Sequence, residues 1–166
     1  MPTTARQPRL EQLDAFVIES VKEVCSTMLG WRVDSAGPCG DGHPAPFQLR
    51  EFNGTIGFGG CCTGSIFLSC SESLVLQMAR RVLGSDRSPD PHELCDVVGE
   101  LSSMIAGGCK SRLSDVDCSV LVSNPNVIRG KLIRASSRDV KFVLQRQFTV
   151  PIQGESFNVI MLGKFD

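Results

Sequence analysis

The sequence predicts an α+β fold in which three helices pack on an antiparallel β-sheet. Apolar residues recur at helical spacing in three stretches, residues 9–30, 71–83 and 90–113. The segments between and after them read as strands, most clearly residues 139–150. There Val140, Phe142, Leu144, Phe148 and Val150 alternate with Lys141, Gln145, Gln147 and Thr149. Tight turns join consecutive strands, so the sheet should be antiparallel and offer one face to the helices. A chain of 166 residues fits a single domain spanning 1–166, with 1–8 expected as a flexible N-terminus.

The first helix places Leu10, Leu13, Val17, Val21, Val24 and Met28 on one face, and Gly30 is its natural stop. Residues 33–46, rich in proline and glycine, read as a loop. Phe47–Phe58 and Cys62–Cys70 are two strand-like runs around Gly59-Gly60, which together make a β-hairpin. The glycines of GTIGFGGCCTG do not form a phosphate loop. Such a loop leads directly into a helix and usually carries a Lys-Ser or Lys-Thr pair, whereas here a second strand follows.

A second helix follows, with Ser69–Glu72 at capping-box spacing, Ser71 as an alternative N-cap and Gly84 as the stop. The third and longest is the best specified. Asp90, Pro91 and Glu93 supply an N-cap, a first-turn proline and a capping box. Its apolar face is Leu94, Val97, Val98, Leu101, Met104 and Ile105, and its polar stripe is Asp96, Glu100, Ser103, Gly107 and Lys110. Beyond Ser114 come strands at Cys118–Ser123, closed by the turn Asn124-Pro125-Asn126, then at 139–150 and 155–162. Arg146 breaks the inward phase of the second of these and is expected near a sheet end.

Composition narrows the function. A net charge of -1 exerts no overall pull toward nucleic acid or an acidic membrane. The basic stretch Arg129–Arg146 has strand periodicity and Phe142 as its one aromatic, which suits a solvated sheet face. No apolar run reaches the roughly 20 residues of a bilayer span, and the first ten residues lack a signal peptide's apolar core. The expected location is cytoplasmic. Eight cysteines without a C-x-x-C pair, in a chain with no export signal, are expected to be reduced apolar fillers rather than disulfides or zinc ligands.

Two stretches, IGFGGCCTGSIFLSCSESLVLQMARRVLG and DVVGELSSMIAGGCKSRL, together with the order helix, hairpin, two helices, strands, resemble the CheC/CheX/FliY group of chemotaxis phosphatases, and single-motif CheX in particular. The TVPI phrase at 149–152 agrees as well. The resemblance implies a CheC/CheX-like fold, a homodimer joined through the sheet, and a CheY-like response regulator as partner. It implies removal of phosphate from that regulator's aspartate. Magnesium would reside on the partner receiver, and this chain would hold no cofactor or metal of its own.

In that family the active helix carries Glu-x-x-Asn, the Glu pairing with the receiver's lysine and the carboxamide holding the attacking water. Glu100 matches the Glu, and Ser103 stands where the Asn would be. Asp96, Gly107 and Lys110 are the matching candidates for partner binding. Serine's hydroxyl falls about an ångström or two short of a carboxamide and cannot grip a water at two points. Asn53, Asn124, Asn126 and Asn158 fall in strand or turn segments, and Gln77 has Leu74 where a partnering Glu would stand. The resemblance therefore implies either an active phosphatase or a receiver-binding module with weakened catalysis.

Overall fold

The structure, a computed structural model, describes residues 7–38, 47–84 and 87–166. Positions 1–6 of the expected N-terminal tail, 39–46 of the expected loop, and 85–86 of the turn before the third helix lie outside the described residues. Three helices, α1 (Leu10–Val24), α2 (Glu72–Leu83) and α3 (Pro91–Ser114), cover one face of an antiparallel sheet. The strands of that sheet are β1 (Asp34–Pro38), β3 (Phe52–Gly60), β4 (Cys62–Cys70), β5 (Val120–Val122), β6 (Asn126–Arg129), β8 (Phe142–Thr149) and β9 (Ser156–Phe165). They run in the order β1-β8-β9-β4-β3-β5, with β6 also paired to β3. A separate ribbon joins β2 (Phe47–Gln48) to β7 (Arg134–Ala135).

The caps explain why the helices begin and end where they do. The Asp90 side chain accepts from the Glu93 N–H at 2.9 Å, while the Asp90 N–H donates back to Glu93 at 3.4 Å. Arg87 holds Glu93 with two further bonds of 2.7 and 2.8 Å. Ser71, not Ser69, caps α2, accepting from the Leu74 N–H at 3.3 Å. Ser69 is buried in β4 and accepts from the Arg50 N–H instead. Both α2 and the π-helical turn Cys25–Leu29 that extends α1 stop on glycines in the left-handed region, Gly84 at φ 60° and Gly30 at φ 64°.

Alternation sorts the sheet residues into two layers. Phe52, Ile56, Phe58, Ile66, Leu68, Phe148, Phe157, Val159 and Met161 enter the main core beneath the helices. Phe47, Leu49, Ile160 and Leu162 form a smaller cluster on the opposite face with Phe67, Ile133, Ala135, Val140 and Val143.

Several local expectations are corrected. Residues 34–38 are not loop but an edge strand paired with β8, from Asp34↔Thr149 to Pro38↔Arg146, with an irregularity between Ser35 and Gly37. The run Phe47–Phe58 is broken into β2 and β3, and the hairpin turns at Cys61 rather than at Gly59-Gly60. Arg146 lies within β8, not at a sheet end. Asp14 of α1 stands over it and forms a two-point ion pair, one bond of which measures 2.7 Å. That partner explains a cation on the helix side of the sheet.

Cys25, Cys62, Cys70 and Cys109 are free and buried, as fillers should be, and Cys95 is half-buried. The expectation of no disulfide fails at one pair: Cys61 and Cys118 are bonded, with Cα atoms 5.5 Å apart. A hydrogen bond between the Cys61 N–H and the Ser119 carbonyl, at 3.0 Å, brings these sequence-distant residues together.

Candidate functional site

The five polar-stripe residues lie on α3, which is held from three sides. Toward the core, Leu94, Val97, Val98, Leu101 and Ile105 are buried. Ser102 is buried too, its hydroxyl donating to the Val98 carbonyl at 2.7 Å, directly over Gly54 of β3. A Cβ on Gly54 would come within 1.8 Å of the Ser102 oxygen, so bare glycine is what lets helix and strand meet there.

Toward α1, Arg112 donates to Glu23 at 2.7 Å, to Glu19 at 3.2 Å and to Ser20 at 3.1 Å. The guanidinium's affinity for its proton is raised above the ordinary value, chiefly by the bond to Glu23. On the third side Gly99 is buried against the β5–β6 turn. A Cβ there would lie 3.6 Å from Val127 and 3.7 Å from Pro125.

What remains open is the stripe. Asp96, Glu100 and Lys110 are exposed, and Ser103 and Gly107 are half-exposed. At 3.6 residues per turn these positions fall on one side of the helix, with Glu100 and Ser103 side by side as an i, i+3 pair. Among the described residues neither side chain takes part in a hydrogen bond or ion pair, leaving both available to an incoming molecule. Nothing lies within 4 Å of where a Gly107 Cβ would stand, so the stripe has a bare, low step one turn beyond Ser103.

A carboxylate and a hydroxyl on a braced helix can pair with a cation and hydrogen-bond a water. Among the described residues, the one grouping of three potential metal ligands is Cys61, Cys62 and Cys118, on the turn that follows α3 and on the hairpin.

Sequence reasoning did not find the β5–β6 turn as a wall of the stripe. Asn124, assigned to a turn segment, sits beside Pro125, which packs on Gly99 one residue from Glu100. The available signal was Gly99 itself, since a glycine inside a well-capped helix often marks the close approach of another chain segment.

Comparison with known proteins now bears on this helix and sheet. The family model described as "Chemotaxis phosphatase CheX" matches residues 52–150, which include β3, β4, α2, all of α3 and β8. No curated protein sequence matches the chain. Among solved structures, CheX from Desulfovibrio desulfuricans superposes with a TM-score of 0.81 at 21% identity, over 92% of this chain and 99% of that one. CheX from Vibrio vulnificus gives a TM-score of 0.79 at 21% identity, with coverage of 92% and 99%. The CheX–CheY–BeF3–Mg2+ complex from Borrelia burgdorferi gives 0.75 at 18% identity, with coverage of 96% and 99%. At these identities the structures speak to the fold, and the family model matches more than half of the chain. With that match running through the braced helix and its open stripe, the chain belongs to the CheX family of chemotaxis phosphatases.

Proposed function

We propose that the chain, acting as one CheX-like domain, binds a phosphorylated CheY-type response regulator through the open stripe of α3 and hydrolyses its aspartyl phosphate. The observation that carries this reading is the unpartnered i, i+3 pair of Glu100 and Ser103 on a helix fixed to the sheet, to α1 and to the β5–β6 turn. Family membership and the solved complex of the Borrelia relative with CheY, BeF3 and Mg2+ support it.

Phosphoryl transfer from an acyl phosphate needs little covalent help from the catalyst. It needs a positioned water and stabilised charge. Glu100 pairs with the receiver's lysine and fixes the helix in register, while Ser103 hydrogen-bonds the attacking water. Asp96, Gly107 and Lys110 complete the contact surface. The receiver brings the phosphoaspartate and the magnesium, in the cytoplasm, where both proteins reside.

Ser103 favours a second reading, a receiver-binding module with weak catalysis, because a hydroxyl holds a water at fewer points than a carboxamide. One experiment separates the two readings. Phosphate loss from a phosphorylated receiver with magnesium is followed alone, with the wild-type chain, and with Ser103→Asn and Glu100→Ala. Acceleration by the wild type, abolished in Glu100→Ala, is the expected result. A wild type no faster than spontaneous hydrolysis, with Ser103→Asn gaining on the order of a hundredfold, selects the binding module. No binding of wild type to the phosphorylated receiver rejects both.

We further propose a homodimer joined through the sheet. Leu121 and Ile128, 76% and 43% exposed, support it: they pair with Gly59 and Asn53 on the face turned away from the helices.

A further inference from the structure

The Cys61–Cys118 bond links two elements on which the Glu100 stripe is mounted. Cys61 is the turn residue between β3 and β4, and β3 carries the Gly54 contact to α3. Cys118 lies just past the end of α3, its N–H donating to the Leu113 carbonyl at 2.9 Å. Backbone geometry fits the pair closely. A Cβ on Gly60 (φ 146°) would lie 2.3 Å from the Ser119 oxygen, so glycine permits the approach that sets the two sulfurs together.

The two cysteines differ in burial. Cys118 is fully buried, whereas Cys61 is half-buried at the hairpin tip. A third sulfur, that of Cys62, lies within the same 4.8 Å cluster. Cys62 is buried, and its thiol is pushed up to about 11 by that burial and then by the charge of Asp166. It stays protonated near neutral pH and is a poor attacking group, which protects the bond from internal rearrangement.

We infer that Cys61–Cys118 is a redox-modification site, opened and closed by exchange with a low-molecular-weight thiol–disulfide couple of the glutathione class that enters at Cys61. A small thiolate attacks the Cys61 sulfur, the protein S–S bond breaks, and its electron pair leaves on Cys118, which takes up a proton. A second small thiolate attacks the small-molecule sulfur of the mixed disulfide and releases Cys61, which is protonated in turn. Two small thiols are thereby oxidised to one small disulfide, and the protein pair is reduced to two thiols. Closure is the same sequence reversed.

Partial burial of Cys61 beside full burial of Cys118 suits this direction of attack, since the more accessible disulfides are the labile ones. In a reducing compartment a disulfide is usually transient and redox-sensing rather than permanent. That last point rests on the cytoplasmic placement proposed above; the geometry does not, and neither depends on phosphatase activity.

The test equilibrates the full chain in buffers of graded reduced-to-oxidised glutathione ratio, quenches with acid, alkylates after unfolding, and maps labelled peptides by mass. Cys61 and Cys118 are expected to lose their label together in one transition as the buffer becomes oxidising, with Cys62 labelled throughout. Cys62→Ala should leave the transition in place and Cys61→Ser should abolish it. The inference is overturned if the pair stays linked in the most reducing buffer, or stays reduced in the most oxidising one. It is equally overturned if one equivalent of zinc, added to the reduced chain, shields all three thiols from label, which would make the cluster a metal centre. Phosphate release from a receiver is not part of the readout, so failure of the phosphatase proposal would not affect the result.

Discussion

Gly54 and Gly107 are both glycines at α3 or against it, yet their surroundings give opposite expectations. At Gly54 a methyl group would overlap the Ser102 hydroxyl and lie 2.8 Å from its Cβ and 3.2 Å from the Val98 carbonyl. Ser102 is buried and bonded to Val98, so it cannot swing aside freely. Gly54→Ala should therefore destabilise by about 1–3 kcal/mol in urea unfolding, the cost of overpacking a core. Adding Ser102→Gly should recover part of that loss, as coupled neighbours do. At Gly107 the methyl meets nothing, and Gly107→Ala should stabilise by up to about 1 kcal/mol through helix propensity alone. The sequence places one in a strand and the other on a helix, but says nothing of which has a neighbour pressed against it. Glu100 was readable because a family motif names it, and Ser103 because it departs from that motif. The wall formed by Pro125 was not, because the packing of a turn on Gly99 depends on contacts across 26 positions of sequence.

The helices were legible for a physical reason: their ends are written in the residues that satisfy their terminal N–H and C=O groups. Asp90 with Glu93, Ser71, Gly84 and Gly30 all do so in the structure. The edge strands were not. Asp34–Pro38 reads Asp-Ser-Ala-Gly-Pro, with a loop's composition, and becomes strand only because β8, more than a hundred residues later, supplies hydrogen bonds. The extension of α1 through Cys25–Leu29 as a π-helical turn was hidden for a related reason, since apolar spacing barely distinguishes it from continued α-helix.

At the start of α3 the capping carboxylate also sets a pH dependence. The Asp90 carboxyl is held below the usual range, first by accepting the Glu93 backbone N–H. Its contribution is present above the unfolded carboxylate value of about 4 and is lost as pH falls through the lower folded value. The Glu93 amide resonance should hold steady from neutral pH down to about 5 and then move with the titration of Asp90. Asp90→Asn should remove that movement, and a shift centred near neutral pH would contradict the assignment.

At the scale of the whole molecule, the fold joins the segments on either side of β3 and divides the sheet's outer face in two. The Cys61–Cys118 link spans a separation of 57 residues. In the chain-entropy account, closing a loop of that length stabilises by about 4 kcal/mol, so urea unfolding with and without reductant should differ by up to that amount, and Cys118→Ala should erase the difference. On the outer face, the side toward β9 is closed by the chain itself, where Phe47, Leu49 and Ile133 lie over Ile160 and Leu162. The side toward β5 and β6 stays open. There Leu121 projects opposite Gly59, over which nothing lies within 4 Å, and Ile128 projects opposite Asn53. Contact between two copies through Leu121 and Ile128 would leave the first cluster in place, and we put the proposed dimer contact on β3, β5 and β6. Sedimentation at micromolar concentration should give a dimer for the wild type, and Leu121→Lys with Ile128→Lys should shift it to monomer. Because both side chains face away from α3, receiver binding by the resulting monomer should be unchanged. A monomeric wild type would remove the dimer, and a dimer that survives both lysines would move its contact elsewhere on the sheet.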